Sequence, residues 1–134
     1  MSIRGKYTKG REAFARGEIN WMGDDIRAAL IDDADYTVDL ASDEFLSDIP
    51  SGAIVATSPN FTGKSVTNGY LKAAKLIFPT VTGDIAEAAV IYKWTGTAST
   101  SRLIAYVSSD LYTSVTPNGA NIIINWPGIG ILRI

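Results

Sequence analysis

The sequence predicts a single all-β domain, either a β-sandwich or a jelly-roll-like fold, with one short helix near the N-terminus. The chain has 134 residues, a length typical of one domain. Hydrophobic residues make up 46% of it and charged residues 19%, an ordinary globular balance. Over most of the chain, short apolar runs alternate with turn residues, and this pattern is typical of the strands of a sandwich or barrel.

Residues 9–16 are the one segment with the composition of a helix, because good helix formers precede Gly17, a residue that often ends helices. So short a helix is not stable alone. We therefore expect Tyr7 and Phe14 to attach it to the rest of the protein. Residues 1–16 form a predicted basic N-terminal arm with this helix, and residues 17–134 form the predicted sandwich domain.

Seven apolar segments are predicted to be strands, namely 25–32, 53–57, 69–78, 86–94, 102–107, 120–126 and 129–134. The dipeptides Asn68-Gly69 and Asn118-Gly119 indicate turns, because both residue types tolerate a positive φ. The alanines of 86–94 also suit a helix, but its β-branched and aromatic end favours a buried strand. The residues expected in the core are Leu30, Val55, Leu76, Val90, Ile104 and Ile123.

Residues 33–52 interrupt this series of strands. The segment is long, acidic and weakly periodic, so it is predicted to be an excursion loop with a short helical turn near Asp43–Leu46. Long loops in compact domains are often functional.

The charges are unevenly distributed, although the net charge is only −2. Residues 1–16 carry five cations and one acid, whereas residues 17–50 carry ten acids and one cation. One interpretation is that both regions simply face solvent. The other is that the basic arm of one subunit lies on the acidic surface of another, which makes Arg4, Lys6 and Arg11 candidate interface residues. The small net charge gives no case for nucleic-acid binding.

Several function classes are excluded by composition. The chain has no cysteine, so thiol catalysis and thiolate metal sites are impossible, and no histidine, so a Ser-His-Asp mechanism is impossible too. We therefore predict no enzymatic activity and no cofactor. The N-terminus lacks the apolar region of a signal peptide, and no apolar run approaches the length of a membrane helix. A protein made in the cytoplasm, without membrane association, is expected.

The triplet Gly63-Lys64-Ser65 matches the end of a phosphate-binding loop. That loop needs an earlier glycine, at a position where this chain has Ser58, and a helix after it. Here the triplet is followed by the turn dipeptide Asn68-Gly69 instead. The triplet is therefore predicted to belong to a loop or hairpin, without nucleotide binding.

Carboxylates offer two further alternatives. Asp33–Val38 begins like a calcium-binding EF-hand loop but has Thr37 and Val38 where an acid and a glycine belong. A looser, oxygen-lined cation site within 32–48 stays open. Pairs such as Asp24/Asp25 or Asp84/Glu87 would suit a glycosidase only across a cleft, and surface acids are the simpler expectation.

Three tryptophans, Trp21, Trp94 and Trp126, are candidate interface residues. Tryptophan can stack on sugars or bases, but in strand-rich chains it more often anchors a core or an interface. Trp126 precedes Pro127 at the end of a predicted strand, where an amphipathic ring suits the rim of the domain.

The order of several segments resembles a family of small structural proteins of tailed-bacteriophage virions. The similarity covers nearly the whole chain, and the matching segments are 17–21, 26–32, Tyr36-Thr37, 45–50, 62–66, 90–93, 103–106 and 115–119. The triplet Gly63-Lys64-Ser65 belongs to this pattern as a family loop. The chain departs from the family at Glu44, where a histidine is common, and at Trp94, where Asp or Asn is common. Trp94 thus indicates an apolar contact particular to this protein, such as one between subunits.

The resemblance implies a virion protein that decorates and stabilises the capsid lattice (a cement protein). The uneven charges and the apolar C-terminal segment 126–134 further predict self-association, with a trimer favoured. The alternative is a monomer whose terminal strand completes its own sheet. The resemblance also implies binding to the major capsid protein or other virion proteins. A tail, adaptor or fibre component is the alternative within the virion. A carbohydrate-binding module for host recognition is the alternative from another class.

Overall fold

The computed structural model of the protein describes residues 4–107, 116–126 and 130–133. They form an all-β domain with a single short helix, as predicted. The strands are β1 (Arg4–Lys6), β2 (Ile26–Ile31), β3 (Ile54–Thr57), β4 (Ser65–Thr67), β5 (Tyr70–Lys72), β6 (Leu76–Phe78), β7 (Ala88–Lys93), β8 (Leu103–Val107), β9 (Ile122–Ile124) and β10 (Leu132–Arg133). The helix α1 spans Thr8–Ala15, and short 3₁₀ helices span Leu46–Asp48, Ser51–Ala53 and Ala98–Thr100.

The strands form three antiparallel sheets. The central sheet has five strands in the order β1-β8-β7-β2-β3, and the two smaller sheets have the orders β10-β5-β4 and β6-β9. Strands β7 and β8 are buried along almost their whole length, because both faces of the central sheet are covered. A bulge in β8 leaves Ile104 without a partner residue in β7, since Ile91 pairs with Ala105 and Tyr92 pairs with Leu103.

One face of the central sheet packs against the two smaller sheets. On this side, alternate residues of β2 and β7 contribute Leu30 and Ile91, while the smaller sheets contribute Leu71, Phe78 and Ile124. Burial of such side chains contributes roughly 1.5–3 kcal/mol each. This pair of layers gives the molecule its larger core.

The other face is covered by the excursion loop rather than by another sheet. Tyr36, Leu46 and Ile49 of the loop are buried against Ile31 and Val90 of the sheet. Most residues between these anchors are polar or acidic and face solvent. Because few positions of 33–52 are buried, the segment shows only weak hydrophobic periodicity. The helical turn lies at Leu46–Asp48, slightly later than predicted.

Helix α1 is attached by its small residues as well as by its aromatic ones. Gly10 and Ala13 are buried, and a Cβ atom placed on Gly10 would lie 3.1 Å from the Cα atom of Ile104. Tyr7 is fully buried and Phe14 packs at the edge of the core, as expected. The close approach of the helix to β8 therefore requires a glycine at position 10.

The N-terminal segment differs from the predicted arm. From Arg4 onward it is part of the domain, because β1 pairs with β8 along Arg4–Lys6 and helix α1 packs on the same strand. Short edge strands are hard to predict because three residues carry no periodic signal. Strand β4 was not predicted for the same reason.

Two other predictions were wrong in detail. The segment 69–78 forms two strands, β5 and β6, in different sheets. Ile123 is 51% exposed, because the alternation of β9 turns Ile124 inward instead. Leu30, Leu76, Val90 and Ile104 are buried as predicted, and Val55 is half-buried.

The C-terminal apolar segment pairs within the chain, since Leu132 and Arg133 of β10 lie opposite Leu71 and Tyr70 of β5. Residues 129 and 134 of the predicted last strand lie outside the described residues. Within the described part of the chain, no helix is long and apolar enough to cross a membrane.

Candidate functional site

Lys64 has a structural role in the loop before β4. Its ammonium group donates to the backbone carbonyl of Asp24 at 2.5 Å and to the side-chain oxygen of Asn60 at 3.2 Å. Burial lowers the pKa of Lys64 below its ordinary value. Ser65 begins a strand, not a helix, so the triplet lies in a loop leading to a hairpin, as predicted. The hydrogen bonds of Lys64 join this loop to the turn before β2.

The neighbouring pair Asp24 and Asp25 is bound to cations. Asp24 lies 3.1 Å from the ammonium group of Lys93, and Asp25 accepts from the guanidinium of Arg27 at 2.9 Å. Partial burial acts to raise the pKa of Asp24, but the N–H of Asn20 and the charge of Lys93 outweigh it and hold the pKa below its ordinary value. The general acid of a glycosidase needs a raised pKa, so the lowered pKa of Asp24 does not suit that role.

Arg102 connects three segments. Its guanidinium pairs with Glu44 of the excursion loop and, at 3.2 Å, with Glu18 after helix α1. It also lies over the ring of Phe45, 4.9 Å from the ring centre. Glu44, where the resembled family often has histidine, thus helps to hold the excursion loop against β8.

A buried chain of hydroxyl groups fixes the same loop from the other side. The hydroxyl of Tyr36 donates to Asp43 at 2.6 Å, so the Tyr7 hydroxyl, 2.8 Å away, donates to Tyr36. Burial raises the pKa of both tyrosines. The loop is therefore joined to the start of helix α1 by specific contacts.

The three tryptophans are in different environments. Trp21 is only 3% exposed, and its indole N–H donates to the carbonyl of Lys72, so it belongs to the core and offers no open face. Trp126 is half-buried against Phe61. Trp94 is half-buried between Tyr92 and the guanidinium of Arg27. Trp21 and Trp126 thus both pack on the ring of Phe61, whereas Trp94 packs against the core on the other face of the central sheet.

The predicted interface cations belong to β1 and helix α1, which both pack on β8. Arg4 is in β1, whose pairing with β8 places it on the edge of the central sheet. Lys6 and Arg11 line a depression beside helix α1, and Lys6 also lines a second one with Arg133. Arg133 was not among the predicted interface residues, because it is 127 residues from Lys6 in the sequence. The Lys6 side chain donates a hydrogen bond to the Arg133 carbonyl, so the fold brings the two together.

A third, more apolar depression neighbours the first, because Phe14 lines both. The three measure about 440, 280 and 520 Å³; the first two share Lys6, and the first and third share Phe14. We call the whole the furrow. Its basic end carries Lys6, Arg11 and Arg133, and its apolar end carries Phe14, Met22 and Val66. Met22 is 54% exposed and Val66 is 51% exposed, so the apolar end of the furrow presents large apolar side chains to solvent.

A second surface is acidic. The carboxylates of Asp32, Asp35 and Asp84 lie within 4.8 Å of one another, as do those of Asp32, Asp33 and Glu87. We call these five residues, together with the adjacent Ile85, which is 47% exposed, the acidic surface. Asp84 and Glu87 lie outside the 32–48 segment, and only the antiparallel pairing of β2 with β7 brings them to it.

Within the described residues, none of the carboxylates of the acidic surface forms an ion pair, so no cationic side chain there neutralises their negative charge. Burial, and then the charges of Asp33 and Asp32, raise the pKa of Glu87. Oxygen-rich groups of this kind suit hard cations, and the Oε2 atom of Glu87 is buried without a hydrogen-bond partner. Exposed acids nevertheless commonly occur without a bound metal.

The chain matches no protein-family model and has no significant match among curated proteins.

Proposed function

We propose that this protein is a structural component of a tailed-bacteriophage virion, and specifically a decoration protein that stabilises the capsid lattice. The observation that carries the proposal is the ordered series of segments in which the chain resembles that family. Several of these segments have structural roles here. Lys64 fixes the loop before β4, and Leu46 and Ile49 anchor the excursion loop to the central sheet.

The polar groups considered for catalysis support a binding role rather than a chemical one. Asp24 and Asp25 are bound to cations, and the ammonium group of Lys64 is bound to Asp24 and Asn60. The surfaces that are open instead are the furrow and the acidic surface. A protein that bridges neighbouring subunits gains from several weak contacts, because each further contact becomes effectively intramolecular.

The proposal is tested on purified virions. A decoration protein should be present at a copy number close to that of the major capsid protein, and electron microscopy should place it on the outer capsid. Particles that lack it should rebind the purified chain and should then withstand heating better. A few copies at the tail would contradict capsid decoration and support the tail, adaptor or fibre role.

A carbohydrate-binding role gains less support from the side chains. Sugar binding relies on exposed aromatic faces, but Trp21 is in the core and Trp126 packs on Phe61. Binding to host-surface glycans that is lost in Trp94→Ala and retained in Trp126→Ala would reinstate this role. No such binding is expected.

A further inference from the structure

We propose that the furrow is the docking site for a second copy of this chain, and that it receives the acidic surface around Ile85. The inference rests on the proposed structural role, in which copies meet on a lattice, and it identifies the two faces that touch. It commits to one occupant, the same protein, because the chain itself carries a surface complementary to the furrow.

The complementarity involves both charge and apolar area. The furrow combines three cations, Lys6, Arg11 and Arg133, with exposed apolar side chains at its other end. The acidic surface combines five carboxylates with the exposed Ile85. Within the described residues, neither set of charges is neutralised by an ion pair. Opposite potentials of this kind favour association and fix the register of the partners.

The two faces are different parts of the molecule. The furrow borders helix α1, β1 and β10, whereas the acidic surface lies where β2 ends and the chain enters β7. A contact between unlike faces is heterologous, so each copy can use its furrow and its acidic surface at the same time. Such contacts close into a ring when the rotation permits and otherwise extend as a chain. A ring of three copies, the state predicted above, is one of the closed arrangements that such a contact allows.

The experiment uses charge reversal on exposed side chains of the full chain. Sedimentation velocity over a range of concentrations should show self-association of the wild type that weakens as salt is raised, because exposed charges are screened. Arg11→Glu, in the furrow, and Asp84→Lys, in the acidic surface, should each weaken association about tenfold or more, since like charges then face each other. Lys75→Glu makes the same charge change as Arg11→Glu at an exposed position outside the furrow and should have no such effect. Circular dichroism checks that all variants fold.

Mixing the two variants provides the decisive measurement. In an equimolar mixture, the glutamate in the furrow of one variant faces the lysine of the other, and the remaining pair of faces is unchanged. A contact between differently labelled variants should therefore form at near the wild-type strength, while each variant alone stays weak. A closed ring of three keeps at least one contact between copies of the same variant, so the readout is the mixed pair and not the complete ring. A wild type that is monomeric up to about 1 mM, an Arg11→Glu variant that associates like Lys75→Glu, or a mixture without recovery would each overturn the inference.

These outcomes are separable from those of the functional test, because association is measured without capsids. If the chain binds capsids only as a monomer, the inference fails and the proposed function stands. If the chain associates through these faces but does not bind virions, the proposed function fails and the docking site stands.

Discussion

At the scale of single residues, polar side chains in this protein mainly position loops. Arg102 joins the excursion loop to the segment after helix α1, and Lys64 joins two loops through the Asp24 carbonyl. Exposed ion pairs contribute only about 0–1 kcal/mol each. Buried hydrogen bonds matter more, because an unsatisfied buried group costs about 1–3 kcal/mol.

Replacing Tyr7 with phenylalanine tests the buried hydroxyl chain. The change removes the group that donates to Tyr36 while preserving the fully buried ring. We expect the free energy of unfolding to fall by about 1 kcal/mol, measured by urea denaturation. Tyr70→Phe is the matched control on a half-buried ring in β5, and it should have a smaller effect. Equal losses in the two variants would contradict the role of the Tyr7–Tyr36–Asp43 chain.

Glu87→Gln tests the acidic surface through its pH dependence. Burial and the nearby Asp33 and Asp32 raise the pKa of Glu87 in the folded state above its unfolded value. Ionisation therefore destabilises the fold at pH values above the folded pKa, and this penalty disappears below the unfolded pKa. The variant should melt at a higher temperature than the wild type at pH 7, and the difference should vanish as the pH falls to about 4. A difference that is constant with pH would point to packing instead of charge.

At the scale of elements, short segments depend on their neighbours. Helix α1 has eight residues, too few to be stable by itself, and β1, β4, β5, β6 and β9 have three each. The excursion loop follows the same rule, because Tyr36, Leu46 and Ile49 hold it on the central sheet. These elements form because of the surfaces they cover.

Gly10→Ala tests the contact between helix α1 and β8. In an isolated helix this change would stabilise by about 1 kcal/mol. Here the new Cβ would collide with the carbonyl of Leu103 and lie 3.1 Å from the Cα of Ile104, both on backbone that cannot move easily. We expect a net destabilisation of about 1–3 kcal/mol in chemical denaturation. Gly52→Ala, which has no atom within 4 Å of the new Cβ, should not destabilise. Stabilisation by Gly10→Ala would show that the helix lies farther from the sheet.

At the scale of the whole molecule, the central sheet is an internal layer with different coverings on its two sides. The smaller sheets cover one face and the excursion loop covers the other. This arrangement leaves the furrow at one border of the domain and the acidic surface at the end of β2. The proposed association uses both of these open surfaces.

Ile104→Ala and Ile123→Ala form a matched pair that tests this layering. Ile104 is 1% exposed at the bulge of β8, and Ile123 is 51% exposed on β9. The first substitution should cost roughly 2–5 kcal/mol because it leaves a cavity, and the second should cost far less. Thermal or urea unfolding measures both. A large loss in Ile123→Ala would mean that the outer face of β9 is covered.

The sequence by itself predicted the all-β class, the helix and most of the longer strands, because composition, β-branched runs and turn dipeptides act locally. The burial of Leu30, Val90 and Ile104 followed from the same pattern. It also predicted that Gly63-Lys64-Ser65 lies in a loop or hairpin, from the missing glycine at Ser58 and the turn after it.

Only the tertiary structure decided which faces and which distant residues meet. Ile123 is exposed because a shift of one residue in register reverses the face of a strand, and local sequence does not specify that register. Arg133 joins Lys6, and Glu87 joins Asp32, because strand pairing brings together residues far apart in the chain. The furrow and the acidic surface arise from these long-range contacts, which no local periodicity encodes.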